Sequence, residues 1–243
     1  MSRAQRLIFM IIFTGFALYT AINFASPHKR NKTVQENHVP VVKIISPKNE
    51  SSFAADLQAN YAISVSDKED GESKYDEINT KEVLLEVKYI KDASTIPAEL
   101  SNKAQNDALV LAAIRTSNCF NCHNFTGKLI GPSFYDITQK YPSTPANIAL
   151  LAKRINTGST GVWGKVPMPT HAELTKEQTQ NMVKWIFQTT SNPAVNYYIG
   201  TEGNFRLKQK GPYILTASYI DHGLKEDSTK RLEGEDRIVI YEK

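Results

Sequence analysis

The sequence has very few cysteines: two among 243 residues, Cys119 and Cys122, both in the stretch CFNCH. It also has no low-complexity tract, and its formal charge of +4 is small for a chain of this length. No basic patch with interleaved aromatic residues occurs, so nucleic acid is not an expected partner. Hydrophobic residues make up 41% and charged residues 22%, an ordinary balance for globular protein, and the length suits two domains.

A long hydrophobic run occurs within residues 1–25. Arg3 and Arg6 precede an apolar stretch from Leu7 to Ala25, which has nineteen residues. At about 1.5 Å per residue such a helix nearly spans the roughly 30 Å hydrocarbon core of a bilayer. The run therefore predicts a signal anchor, with a cleaved signal peptide as the alternative. Residues 26–38 are polar, contain Pro27, and are predicted to be a linker.

Two segments, residues 39–96 and 192–243, show the alternating pattern of β-strands. The alternating apolar positions are Val83, Leu85, Val87 and Tyr89 in the first segment and Tyr213, Leu215, Ala217 and Tyr219 in the second. Each segment has only about 50 residues, near the lower limit for an independent core, but together they match one immunoglobulin-like sandwich. We expect a single β-sandwich of immunoglobulin or PKD type, and two separate small sheets are the alternative.

Between these segments, residues 97–191 show helical patterns. Thr144 and Pro145 are typical of a helix start and Gly158 of its end, while Thr175 and Gln178 have the spacing of a capping box. This helical segment is predicted to be inserted into the sandwich or docked on it. The fold class is therefore α+β and multidomain. In the first helix an apolar face is predicted to consist of Leu109, Ala112, Ala113 and Thr116.

The CFNCH stretch admits three kinds of site. A redox dithiol of the thioredoxin type needs a βαβ setting, which the helices around Cys119 do not offer. Zinc needs a fourth ligand, for example His171, and the adjacent Cys122 and His123 fit poorly into one tetrahedron. Attachment of a c-type haem uses every residue, because two thiols form thioethers with the porphyrin and the next residue, His123, ligates the iron. We therefore favour one covalent haem.

Two further features support a haem site. Met168 lies between Pro167 and Pro169, in a glycine-rich loop 45 residues after His123, and its thioether can close the sixth position of the iron. His171 is the rival sixth ligand. Pro132 follows Gly131 shortly after the motif, and its carbonyl can accept the Nδ1 proton of His123 and so orient the imidazole.

The stretch DKEDG also raises a calcium site, with Asp67, Glu69 and Asp70 as oxygen ligands. An acidic hairpin turn explains the same residues, and we favour that interpretation.

CFNCH, GPSFYDITQKY and the stretch from Ile148 to Phe187 together resemble the small bacterial class I cytochromes c. More narrowly, the chain resembles the cytochrome modules found in Bacteroidetes proteins beside PKD-type β domains and sugar-dehydrogenase domains. The resemblance covers roughly residues 105–190. It implies Cys119 and Cys122 as attachment points, His123 and Met168 as axial ligands, and Pro132 as the carbonyl partner of His123. It also implies that Trp163 packs beside the haem and donates its indole N–H to a propionate.

The sequence therefore predicts an exported electron carrier, not an enzyme, in the periplasm and anchored to the inner membrane by the N-terminal helix. Its expected partners are a dehydrogenase donor and an oxidase or cytochrome acceptor. Residues 97–191 hold nine basic and five acidic residues, which suits an acidic docking face on the partner. The alternatives are a permanent haem subunit of a respiratory or dehydrogenase complex, and a haem enzyme or ligand sensor with an open sixth position.

Overall fold

The computed structural model describes residues 36–101 and 105–243. The proposed signal anchor, residues 1–25, lies outside the described residues, as does the linker up to residue 35. In the part of the chain that is described, no helix combines the length and the apolar character that a membrane span requires.

The strands fall into two groups that flank the helices. The strands are β1 (Val41–Ser46), β2 (Ser52–Phe53), β3 (Gln58–Asp67), β4 (Gly71–Glu72), β5 (Leu84–Tyr89), β6 (Val195–Ile199), β7 (Glu202–Arg206), β8 (Gly211–Ile220) and β9 (Glu233–Glu242). The helices are α1 (Ile96–Ser101), α2 (Gln105–Thr116), α3 (Phe134–Lys140), α4 (Pro145–Thr157) and α5 (Lys176–Ser191). Two short 3-10 turns, Thr80–Glu82 and Cys119–Asn121, matter for the site described below.

The strands form two sheets that draw on both sides of the helical segment. In the first sheet β3 pairs with β1, β4 and β7, and the second sheet has the order β2-β9-β8-β5-β6. The antiparallel pairing of β5 with β6 joins the strands directly before and after the helices. The helical segment is thus an insertion between two neighbouring strands of one sheet, and the alternative of two separate small sheets is wrong.

The two sheets share one hydrophobic core. The four residues of β8 that the pattern places on one face are buried, with exposed fractions of 4% for Tyr213 and 0% for Leu215, Ala217 and Tyr219, and Ile214 and Ser218 on the opposite face are buried as well. The first four pack in one cluster with residues of β1 and β3 from the other sheet. A polar-apolar alternation with period two buries one face of a strand, and here both inner faces meet in a sandwich.

The outer face of the second sheet carries the helices. Leu84 of β5 points away from the sandwich core and packs in a second cluster with Leu111, Ile114 and Phe120 of the helical segment. The predicted apolar face of α2 is wrong, because Leu109 is 79% exposed whereas Leu111 and Ile114 are buried. The helix turns these two residues toward the sheet and α5, and the sequence of the helix alone does not contain that information.

Local signals in the helical segment behave as predicted. The Thr144 side chain accepts the backbone N–H of Asn147 at the start of α4. Thr175 and Gln178 form both hydrogen bonds of a capping box at the start of α5. These bonds satisfy backbone donors that have no partner inside the helix, which is why such residues mark helix starts.

The acidic stretch DKEDG forms a hairpin turn between β3 and β4. Asp67 Oδ1 accepts the backbone N–H groups of Glu69, at 2.9 Å, and Asp70, at 2.7 Å. Asp70 Oδ2 accepts the Tyr219 hydroxyl at 2.8 Å, and Glu69 Oε1 lies 2.8 Å from His38 Nδ1. Within the described ranges no group of three or more His, Cys, Asp or Glu side chains is arranged to hold a metal ion. At least one oxygen of each carboxylate is engaged by a protein group, while Asp67 Oδ2 is buried without a hydrogen-bond partner, and the hairpin-turn interpretation accounts for the stretch.

Candidate haem site

The two cysteines lie on one tight turn between α2 and α3. Residues Cys119–Asn121 form a 3-10 turn, which continues into backbone hydrogen bonds from Cys122 N and His123 N to Cys119 O, at 3.1 and 3.0 Å. Both thiols are free, and both line the same cavity. The turn brings residues three apart to one side of the backbone. Phe120, 2% exposed, anchors the turn in the hydrophobic cluster below it.

The imidazole of His123 is held in one orientation. Its Nδ1 donates a hydrogen bond of 2.7 Å to the carbonyl oxygen of Pro132, which can only accept. The ring stacks on Phe134, with centroids 5.7 Å apart and an angle of 15° between the planes. Because Nδ1 carries the proton, Nε2 keeps the lone pair that a metal ligand needs. Burial lowers the pKa of His123, against the opposing effect of the bond to Pro132, and this favours the neutral ring.

The His123 ring leaves no room for a side chain at position 131, which is glycine. A Cβ atom at position 131 would lie 2.7 Å from Cε1 of His123, a distance that packed side chains do not tolerate. The backbone N–H of Gly131 donates to Cys122 O at 2.8 Å and so closes the loop over the imidazole. Gly131 thus allows the loop to approach the imidazole closely, and Pro132 accepts its Nδ1 proton.

Met168 is held by a backbone pair directly beyond α4. Ser159 N donates to Met168 O at 3.2 Å, and Met168 N donates to Ser159 O at 2.8 Å. Gly158 has a φ of 75°, and a Cβ there would lie 2.9 Å from Met168 O. The loop is therefore closed by a two-residue bridge to the end of a capped helix, in addition to the proline neighbours seen in the sequence. Nothing in the local pattern around Ser159 indicated this bridge.

One cavity of about 430 Å³ unites the candidate residues. The candidate haem residues in its lining are Cys119, Cys122, His123, Met168, Trp163 and His171, and charged residues of the lining include Lys128, Arg154 and Lys165. The remaining wall is mainly apolar and includes Ile114, Ile130, Val166, Met182, Val183 and Phe187. An apolar pocket with two free thiols, an oriented imidazole and a thioether suits a porphyrin attached by two sulfurs. The residues present fit a c-type haem.

Trp163 lies at the open rim of this cavity. It is 38% exposed, and Lys140 Nζ lies 4.4 Å from the centroid of its ring. The same ammonium group donates to Val162 O at 3.4 Å. Arg154, also part of the lining, donates to the Tyr141 hydroxyl at 2.7 Å. The rim is therefore cationic and aromatic, whereas the interior is apolar.

The other interpretations of CFNCH fare less well. Burial raises the pKa of the Cys119 thiol to about 12, so this sulfur is a neutral thiol near pH 7 and a poor nucleophile for disulfide exchange. The zinc interpretation needed a fourth ligand, from His171 or an acidic residue. His171 Nδ1 lies 3.0 Å from Glu173 Oε1, and the described residues contain no metal-holding group of three or more such side chains.

The structure also reveals residues that the sequence patterns did not indicate. Three phenylalanines, Phe120, Phe125 and Phe134, form an aromatic layer beneath His123, with ring centroids 5.5 to 6.1 Å apart. Arg115, four residues before Cys119, is only 2% exposed. A charged residue in a helix usually faces solvent, so only the packing of α2 on the sheet identifies it.

Comparison with known proteins identifies relatives of the helical segment. A profile of the cytochrome c family matches residues 112–190. Cytochrome c-551 of Pseudomonas aeruginosa is 36% identical over 72 residues, which are 30% of this chain and 68% of that protein. Cytochrome c2 of Rubrivivax gelatinosus is 36% identical over 95 residues, which are 38% of this chain and 96% of that protein.

Among solved structures, wild-type cytochrome c552 of Nitrosomonas europaea is 33% identical to this chain. The similarity covers 31% of this chain and 93% of that protein, with a TM-score of 0.30. The profile match contains every candidate site residue from Cys119 to Met168. It does not include the strands of the sandwich.

Proposed function

Because the chain belongs to the cytochrome c family, we propose that it carries electrons on one haem ligated by His123 and Met168. The c-type haem of this family is covalently bound and contains iron, which supplies one-electron chemistry. We assign the covalent bonds to Cys119 and Cys122. One observation carries the proposal: a single, mainly apolar cavity collects both thiols, an imidazole oriented by Pro132, and Met168, whose backbone is fixed by the Ser159 bridge.

In this proposal each residue has a distinct task. His123 presents Nε2 to the iron, because Nδ1 is bonded to Pro132, and burial keeps the ring neutral. Met168 closes the sixth position, which favours electron transfer over binding of gases or substrates. Trp163 and Lys140 at the rim provide an N–H group and a positive charge for haem propionates. The protein is then an electron carrier and not an enzyme.

The proposed location is the periplasm, with residues 1–25 as a signal anchor in the inner membrane. The proposed partners are a separate dehydrogenase or respiratory complex as donor and an oxidase or other cytochrome as acceptor. Residues 97–191 hold four more basic than acidic residues, which favours an acidic docking face on the partner. The β-sandwich, proposed to be of immunoglobulin or PKD type, serves as a spacer or docking platform for the haem segment.

The test of the ligand assignment is the ferric absorption spectrum of protein expressed in a periplasm. The wild-type protein should show the weak near-infrared band of sulfur-to-iron ligation, and Met168→Ala should lose it. Met182→Leu is the matched control, because Met182 lines the same cavity but lies in the core on α5. It should keep the band, as should His171→Gln.

Two results would overturn the assignment. One is a wild-type spectrum without the band, and the other is a band that survives in Met168→Ala. Loss of the band in Met182→Leu alone would point to Met182 as the sulfur ligand instead, whereas a wild-type protein without the band would favour a nitrogen ligand such as His171.

A further inference from the structure

Arg115 is a buried cation at the junction between the haem segment and the β-sandwich. Its side chain is 2% exposed, and its Nη2 donates a 2.7 Å hydrogen bond to the hydroxyl of Ser218 on β8. Nε and Nη1 have no hydrogen-bond partner among the described residues. Burying a guanidinium with unused donors costs free energy, so a positive charge at this place calls for an explanation.

The position of Arg115 connects it with the haem. Its neighbour Ile114 lines the cavity, while the Arg115 side chain points to the sheet. The Arg115 carbonyl accepts the N–H of Asn118, at 3.0 Å, directly before the turn that holds Cys119. Arg115 and Cys119 are four residues apart, which limits their Cα atoms to a separation of at most about 15 Å.

Arg115 stays charged in its buried position, and solvent screens its charge only weakly. The 3-10 turn Thr80–Glu82 contacts both α2 and the attachment turn Cys119–Asn121. Burial lowers the pKa of Arg115 to about 10, against the opposing effects of Glu233 and Glu82, so the guanidinium stays charged at neutral pH. Water and mobile ions have little access to a side chain at this depth, and their screening is correspondingly weak.

We infer that Arg115 stabilises the reduced state of the haem, because it holds a buried positive charge on the helix that leads into the attachment turn. Reduction adds one negative charge at the iron, and a fixed cation in a medium of low polarity stabilises that charge. For a separation of about 15 to 25 Å and an effective dielectric constant near 20, the ferrous-to-ferric ratio changes by about three- to sixfold. With 59 mV for a tenfold change in a one-electron couple, this equals roughly 30 to 45 mV. The inference rests on the proposed electron-transfer function.

The test is the midpoint potential of the full-length haem protein. Arg115→Met should shift the equilibrium about three- to sixfold toward the ferric state. Arg115→Lys keeps the charge but loses the forked donor geometry, and Ser218→Ala keeps the charge but loses the hydrogen bond. Both should stay within about 1.5-fold of wild type, even where chemical unfolding shows lower stability. A purely structural role of Arg115 would instead lower stability in all three variants and leave the potential of Arg115→Met unchanged, which would overturn the inference.

A second variant covers the case in which Arg115→Met yields no folded haem protein. Glu82→Gln removes a buried negative charge near the attachment turn and should shift the equilibrium toward the ferrous state. The measurement belongs near pH 5.5, about one unit below the ordinary pKa of histidine, so that His222, which pairs with Glu82 at 2.9 Å, stays protonated. An unchanged or lowered potential in Glu82→Gln overturns the inference. The near-infrared band of each variant is recorded as well, so that loss of the Met168 ligand is distinguished from loss of the electrostatic effect.

Discussion

The sandwich and the helical segment are built on different principles. The sandwich has one continuous core, to which β1, β3, β5, β7, β8 and β9 all contribute. The helical segment has two smaller clusters, one around Leu84 and Phe120 and one around Ala152 and Phe187, and a cavity of about 430 Å³ adjoins both. The first of these clusters also includes Leu84 of β5, and Tyr197 and Ile199 of β6 pack against it. The sandwich is therefore expected to fold without the haem, whereas the helical segment needs both the haem and the sheet.

The strongest test of this asymmetry removes the haem attachment. The double variant Cys119→Ser with Cys122→Ser should lose the covalent haem entirely. Hydrogen exchange should then be roughly a hundredfold faster or more in α4 and α5, while amides of β8 keep their protection. The single variant Cys122→Ser, which retains one thioether, is the matched control and should lie between these extremes. Equal loss of protection in β8 would show that the sandwich depends on the haem as well.

The reverse test damages the core of the sandwich. Leu215→Ala, at a residue with 0% exposure, should lower the free energy of unfolding by about 2–5 kcal/mol. Leu84 of β5 packs against the helical segment. The midpoint temperature of the haem absorbance transition should therefore decrease together with that of the strands. Leu109→Ala, at a residue with 79% exposure, is the matched control and should change stability by no more than about 0.5 kcal/mol. A haem transition that does not move in Leu215→Ala contradicts the proposed dependence.

A smaller effect is confined to the helical segment. Thr144→Ala removes the side-chain cap of α4 and should cost about 1 kcal/mol in the haem-linked transition. Thr157→Ala, at the exposed other end of the same helix, removes hydroxyl bonds to the carbonyls of Lys153 and Gly158 but no N-terminal cap, and it serves as the control. If the two variants are equally stable in guanidinium titrations, the cap does not support the wall of the haem cavity.

The smallest expected effect lies in the sandwich and depends on pH. A hydrogen bond with Glu82 is the main reason why the pKa of His222 rises to about 9, and Asp70, 3.2 Å away, contributes. A raised pKa means that the folded state holds the proton more tightly, so the stabilisation is complete below about pH 6.5 and is lost as pH rises through 9. Because the side chain is 48% exposed, solvent screening should limit the effect to about 1 kcal/mol or less. His222→Gln should remove this part of the pH dependence in thermal melts, and a profile identical to wild type would contradict the assignment.

The sequence indicated features that depend on neighbouring residues in the chain. The caps at Thr144 and Thr175 and the burial of the apolar face from Tyr213 to Tyr219 follow from local patterns, and the structure confirms them. The CFNCH motif likewise predicts a haem attachment site from five consecutive residues. In contrast, the exposure of Leu109 and the burial of Arg115 depend on a sheet whose strands come from both ends of the chain. The bridge between Ser159 and Met168 likewise depends on how the loop returns to α4, which no periodic pattern encodes.

The most direct test of the central claim, an iron closed on both sides by His123 and Met168, is exposure of the ferrous protein to carbon monoxide. The account predicts that the wild-type absorption spectrum does not change under the gas, whereas ferrous Met168→Ala binds it stoichiometrically. Ready binding of carbon monoxide by the wild-type protein would contradict the account and favour a haem sensor or enzyme with an open sixth position.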